Sequence, residues 1–390
     1  MKIAVVCDSF KGSLTSKDAC AAVKDGLLRC NKNFEVLSLP FADGGEGTSR
    51  CFYDILGGQL RKAAVHDPLL REITAEYTVL PDGTAVIDVA SASGLTLLKS
   101  SERDAVKVSS LGSGELICDA AEHGAKHIIL GLGGSATTDA GTGILYALGM
   151  RFFSEDGVEV LPDGQNMIRV KKIRRTENFE RFKDIKFTLA CDVTNPLCGE
   201  NGAACVFSPQ KGASKNDVKL LDDGLRNIGE IFEKASGKKI INLPGAGAAG
   251  GIGGGLSAFL NCELQSGFDV LARAASLEDK IRRSDAVITG EGKTDRQTLF
   301  GKLPKRVSDI AEKFGVPCIL LSGDVENDIS AETLGVCEIH KIKENGISLE
   351  HCMKNAASLL SERAFAIGKD SKIINKQYSR KQEKMQENER

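Results

Sequence analysis

GLGGSATTDAGTGILYALG, residues 131–149, follows the apolar run His127-Ile128-Ile129-Leu130. The run predicts a buried strand, and Ile144, Leu145 and Leu148 recur at helical spacing, so a glycine-rich turn hands a strand over to a helix. Gly131, Gly133 and Gly134 carry no side chain that would keep a ligand from the backbone, while Ser135, Thr137 and Thr138 add hydroxyls beside free N–H groups. Such a turn suits an anion, phosphate above all. Asp139 stands at or near the N-cap, and Gly149 can close the helix. The plainer alternative is a tight turn whose hydroxyls only cap.

Other strand ends carry similar chemistry. Ile3 to Val6 predict a buried strand, too short for a targeting sequence, that ends at Asp8 and leads into Ser9-Phe10-Lys11-Gly12-Ser13. A strand over 34–39 runs into Ala42-Asp43-Gly44-Gly45-Glu46-Gly47-Thr48, with two carboxylates and three glycines. Leu189-Ala190-Cys191-Asp192-Val193-Thr194-Asn195-Pro196 is another strand ending in an acid and an amide, and Ala286-Val287-Ile288-Thr289 closes in Gly290-Glu291-Gly292-Lys293-Thr294-Asp295. In open parallel sheets this edge is where ligands bind.

Strands alternating with helices at both ends of the chain predict an α/β protein with parallel sheets. From residue 65 short alternating strands, broken by Pro81-Asp82-Gly83, mark a change of pattern. The division expected is one α/β domain from 1–66 and 270–368, an inserted α/β domain over 67–269, and a polar tail over 369–390 without fixed structure; residues 1–66 and 270–368 share one sheet, with the site in the cleft between the domains. Residues 243–262 hold no charge, but Pro244 and seven glycines make a mobile loop leading to a helix rather than a membrane span.

A formal net charge of −2 gives no reason to expect nucleic acid or an anionic membrane, and 5% aromatic content without Trp argues against base-stacking platforms. Twelve cysteines with no Cys-x-x-Cys pair suit reduced thiols in the cytoplasm, and Cys191, Cys198 and Cys205 read as small buried hydrophobes. The 42 glycines suggest many approaches of backbone to ligand. His123 and His127 are separated by Gly124 and make no metal site. Gly292-Lys293-Thr294 ends like a phosphate-binding loop, but Val287 stands where its first glycine belongs. Gly131-x-Gly133-x-x-Ala136, with Glu155 and Asp156 about 20 residues on, fits a dinucleotide fingerprint and leaves an NAD(P)-dependent dehydrogenase open beside a non-catalytic phosphate-ligand binder.

Seven blocks in order, Asp8 to Lys11, Ala42 to Thr48, Gly131 to Gly143, Ala190 to Leu197, Ser208 to Ala213, Leu243 to Gly251 and Thr289 to Asp295, make the chain resemble the glycerate kinases of the first bacterial class over residues 1–366. That resemblance implies transfer of the ATP γ-phosphoryl group to D-glycerate with Mg²⁺, at the 2-hydroxyl more often than the 3-hydroxyl, by a cytoplasmic enzyme that a homodimer would suit. It also implies a permuted flavodoxin-like domain carrying a second α/β domain inserted within it. The roles expected are Asp192, Lys11 and Asp43 in catalysis, with Asp192 orienting or deprotonating the glycerate hydroxyl. Gly133, Gly134, Ser135, Thr137 and Thr138 cradle phosphate, while Ser9, Lys293, Arg296 and Asn195 meet the substrate. Asp43, Glu46 and Glu291 are the metal ligands expected.

Overall fold

The computed structural model describes residues 1–42, 44–344 and 346–379, and the chain divides into two compact units, one of 1–42 with 271–390 and one of 43–270. The first segment supplies β1 (Lys2–Cys7) and β2 (Glu35–Pro40). The middle supplies β3 (Gln59–His66), β4 (Glu72–Val79), β5 (Ala85–Asp88), β6 (His127–Gly131), β7 (Met150–Phe153), β8 (Lys172–Arg175), β9 (Lys186–Ala190) and β10 (Asn261–Gln265). The last segment adds β11 (Ala286–Gly290), β12 (Lys293–Thr294), β13 (Cys318–Ser322), β14 (Asp324–Val325) and β15 (Glu338–Lys341).

Among the described residues the first unit holds a parallel five-stranded sheet in the order β15-β13-β11-β1-β2. Ile3 pairs with Ala286 and Val6 with Thr289, so strands nearly the whole chain apart lie side by side. The apolar runs of β1, β11 and β13 are buried throughout, as central strands of a sheet covered on both faces require. Helix Ser16–Cys30 starts where the Thr15 hydroxyl accepts from the Asp18 N–H, and it buries Ala19, Cys20, Val23 and Leu27, which fall on one helical face. It lies against helix Ala356–Asp370 so closely that a Cβ on Gly26 would stand 2.1 Å from the Ser361 carbonyl oxygen. The polar tail is more ordered than its composition suggests. Residues 372–379 are helical, Ile374 is buried in this unit's core, and Tyr378 meets Phe34 edge-on, whereas 380–390 lie outside the described residues.

The second unit carries a six-stranded sheet in the order β10-β9-β6-β5-β4-β3. Strands β5, β6, β9 and β10 are parallel, and β4 and β3 extend the sheet antiparallel. The strand over 59–66 therefore does not join the sheet of β1 and β2, where the sequence pattern placed it. Eight cross-strand pairs, from Gln59 with Val79 to His66 with Glu72, hold it to β4. The uncharged stretch near 250 is a packed helix, Ala248–Phe259, bent where Ala249, Gly250 and Gly251 take positive φ, and most of it is buried. A Cβ on Gly250 would fall 2.0 Å from the Thr137 carbonyl oxygen, and one on Gly255 1.9 Å from that of Ala140. These glycines serve contact of backbone with backbone, not with ligand. Of the three evenly spaced cysteines Cys198 is buried, whereas Cys191 and Cys205 are only partly buried.

Candidate active site

Register builds the site of the second unit. Asp88 of β5 pairs with Gly131 of β6, Gly131 with Ala190 of β9, and Ala190 with Gln265 of β10, so the chain leaves neighbouring parallel strands at one level. The Leu132 N–H donates to the Ala190 carbonyl, and the Gly133 N–H donates to that of Gly44 at 3.0 Å. Above this edge opens a pocket of about 380 Å³, lined by Gly44, Gly45, Gly133, Gly134 and Ser135 on one side and by Asp192, Gln210 and Lys211 on another. Its size suits a small ligand.

The structure thus brings Gly133, Gly134, Ser135 and Asp192 together and leaves other expected residues out of the lining. Asp192 is exposed. Thr137 and Thr138 are fully buried, and the Thr138 hydroxyl bonds that of Ser208. Asn195 donates from Nδ2 to the Asn201 carbonyl and so braces the turn after Asp192. Glu46 is exposed beside Gly134 and accepts from the Thr96 hydroxyl. Asp43 lies outside the described residues.

The glycine-rich turn differs from its expected form. After Gly131 the chain needs ten further residues before helix Thr142–Ala147 begins. The donors at that helix start are met by Asp139, whose buried carboxylate accepts from the Gly141 and Gly143 N–H groups and from the Ser110 N–H and hydroxyl. No strand runs directly into a helix N-terminus here, which removes the geometry of the dinucleotide fingerprint. Gly133 is itself filled from outside, since a Cβ there would lie 2.5 Å from the Gly45 Cα.

Sequence reasoning passed over two buried charged groups of this unit, Asp88 at the end of β5 and Lys211 in the pocket lining. The buried Asp88 carboxylate accepts from the Gly47 and Ser49 N–H groups and so holds the start of helix Thr48–Leu56; burial pushes its pKa up to about 7. Lys211 is only 3% exposed, and its ammonium donates to the Ser135 hydroxyl at 3.0 Å and the Thr137 carbonyl at 2.6 Å. Burial pulls its pKa down to about 8, and Asp139 opposes that shift. Lysine is a surface residue by type, so nothing in the letters marks this one; only its place in the Ser208 to Ala213 block singles it out.

The first unit gathers its own loops. A Cβ on Gly292 would stand 3.1 Å from the Phe10 Cα and 3.2 Å from the Lys11 nitrogen, which sets the turn after β1, with Ser9 and Lys11, beside the turn after β11. Glu291 is buried and accepts from the Thr298 hydroxyl at 2.7 Å; burial raises its pKa. Lys293 and Arg296 are exposed and paired, with Glu326 at 2.8 Å and Asp328 at 2.5 Å. Among the described residues no cluster of three or more His, Cys, Asp or Glu could hold a metal, and no helix is long and apolar enough to cross a membrane.

Known proteins agree on one relationship. The sequence profile described as the Glycerate kinase family matches residues 3–372. A protein named Glycerate 2-kinase from Escherichia coli (strain K12) is 41% identical over 330 residues, 84% of this chain and 87% of its own. One named Glycerate kinase from Halalkalibacterium halodurans is 38% identical, covering 93% of this chain and 96% of its own. A crystal structure assigned to glycerate kinase 2 of Salmonella typhimurium LT2 superposes with a TM-score of 0.83 at 34% identity, covering 95% of this chain and 97% of that one.

Proposed function

Because the chain belongs to the glycerate kinase family, we propose that it transfers the γ-phosphoryl group of ATP to the 2-hydroxyl of D-glycerate, releasing ADP. The choice of the 2-hydroxyl is supported by the name Glycerate 2-kinase of the Escherichia coli relative. The observation that carries the proposal is the pocket of the second unit, where an exposed carboxylate, a buried ammonium and a glycine-lined backbone face one space.

In the step proposed, the substrate hydroxyl oxygen bonds to the γ-phosphorus as the bond from that phosphorus to the bridging oxygen of ADP breaks. Asp192 accepts a hydrogen bond from the hydroxyl, aims its lone pair and receives the proton as the new P–O bond forms. A loose transition state asks little proton removal, so the carboxylate works mainly by positioning. Ser135 and the backbone beside Gly134 offer donors to anionic oxygens.

Mg²⁺ fits this residue set in one way. It would be held by one or two carboxylates together with substrate phosphates, as this ion commonly is beside phosphate groups. Exposed Glu46 is the described carboxylate of this unit that we assign to it, and the ion would supply neutralisation of phosphate charge. The test is phosphorus NMR of the product formed from ATP and D-glycerate. A 2-phosphoglycerate resonance is expected; a 3-phosphoglycerate resonance overturns the regiochemistry, and no phosphoglycerate at all overturns the activity.

A further inference from the structure

Lys211 has a composition of contacts unlike that of an ordinary buried lysine. An ammonium carries three donors, and here two are used, on the Ser135 hydroxyl and the Thr137 carbonyl. Among the described residues it has no carboxylate within ion-pair distance, although 97% of its surface is removed from water. Asp139, the acid whose charge acts on it, already spends its oxygens on the Ser110 hydroxyl and N–H and on the Gly141 and Gly143 N–H groups. A buried charge left without a counter-ion is strongly unfavourable. Beside it the Thr137 hydroxyl is buried with no hydrogen-bond partner among the described residues. Lys211 nevertheless lines the pocket that Asp192 lines.

We infer that the Lys211 ammonium is the anion-binding group of this pocket, its free donor meeting an oxyanion of the bound reactants. Resting on the activity proposed above, the anion is the carboxylate of D-glycerate or a phosphate oxygen of ATP. Of the cations expected from sequence to fill this role, Lys11, Lys293 and Arg296, the last two already hold Glu326 and Asp328. Among the described residues, the titratable groups that line the pocket with Lys211 are Asp192 and Cys191; Ser135 and Thr137 bond it, and the charge of Asp139 acts on it. A carboxylate or phosphate arriving there supplies the counter-charge that the fold withholds, and binding keeps the amine protonated.

The experiment is calorimetric binding of D-glycerate and, separately, of ATP to the full chain and to Lys211→Met. A tenfold or larger loss for D-glycerate alone identifies the carboxylate, and the same loss for ATP alone identifies the phosphate; both uphold the inference. Equal binding of both ligands by parent and variant overturns it. Should the variant not fold, the parent alone decides: its affinity for one of the two ligands must fall as pH rises above about 8, and a flat profile to pH 10 for both overturns the inference. If the parent does not phosphorylate D-glycerate, the proposed activity fails by itself. Inorganic phosphate is then the probe: weaker binding to Lys211→Met than to the parent upholds the inference, and equal binding, including none, overturns it.

Discussion

The Lys211 ammonium lies 2.6 Å from the carbonyl oxygen of Thr137, a neutral acceptor where a buried cation ordinarily meets a carboxylate. The cost of that choice is readable as a dependence of stability on pH. The folded chain releases this proton near pH 8, the unfolded chain only near the ordinary lysine value of 10.5. Between those values the unfolded state binds more protons, so unfolding free energy rises with pH, by ~3 kcal/mol at most. Denaturant titrations of parent and Lys211→Met from pH 7 to 10.5 check this: the difference between them should shrink or reverse in favour of the parent across that window, and a constant difference refutes it.

Asp88 should show the opposite slope. Its carboxyl titrates near 7 when folded and near 3.8 when unfolded, so between those values the folded state holds the extra proton. Stability attributable to this group is greatest below pH 4 and is lost as pH rises towards 7, by about 4 kcal/mol at most. In Asp88→Asn that slope should vanish. Thermal unfolding of both proteins from pH 4 to 8 measures it, and parallel curves would count against the assignment.

Gly133→Ala should damage the fold and not merely the pocket. The added methyl would sit 2.5 Å from the Gly45 Cα, and two backbones cannot part there without breaking the bond from the Gly133 N–H to the Gly44 carbonyl. A loss of roughly 1–3 kcal/mol in unfolding free energy is expected. A variant as stable as the parent that simply fails to bind ATP would show that ligand, not Gly45, claims that space.

Asp192→Asn keeps the size of the side chain and one acceptor. We expect kcat to fall ~10²- to 10⁴-fold with near-parent affinity for ATP. Steady-state kinetics at saturating Mg²⁺ check it; recovery of the rate by excess Mg²⁺ would make Asp192 a metal ligand instead.

Lys293→Met should leave stability within about 0.5 kcal/mol of the parent, because the pair with Glu326 is exposed and screened. Its glycerate KM should change less than that of Lys211→Met. A larger rise in the Lys293 variant, from the same initial-rate assay, would return the carboxylate to the first unit.

Much of the architecture was legible because strands buried on both faces are written as unbroken apolar runs, as in β1, β6 and β11, and because each run ends in its own cluster of glycine, hydroxyl and acid. The assignment of Gln59–His66 was not, since its half-buried alternation looks the same whichever sheet it joins and only the partner β4 decides. Gly133, Gly134, Ser135 and Asp192, which the sequence sets at strand ends, line the pocket of the second unit. Thr137 and Thr138 are absent from that lining, and sequence does not show it because a loop hydroxyl reads alike whether it faces a ligand or, as Thr138 does, Ser208. Lys211 and Asp88 went unseen for a related reason: burial of a charged side chain is a property of the surroundings, which no single residue type announces.

The order β15-β13-β11-β1-β2 also sets a timetable for synthesis. When β1 and β2 leave the ribosome, the neighbour that β1 requires on its other edge, β11, lies more than 240 residues downstream; at ~5–20 residues per second the wait is roughly 10–50 s. Through that interval β1 presents an unpaired edge of Ile, Ala and Val, the kind of edge that invites a second nascent chain. Every strand of the six-stranded sheet is translated meanwhile, so the continuous middle of the chain can be complete before either end has its partner.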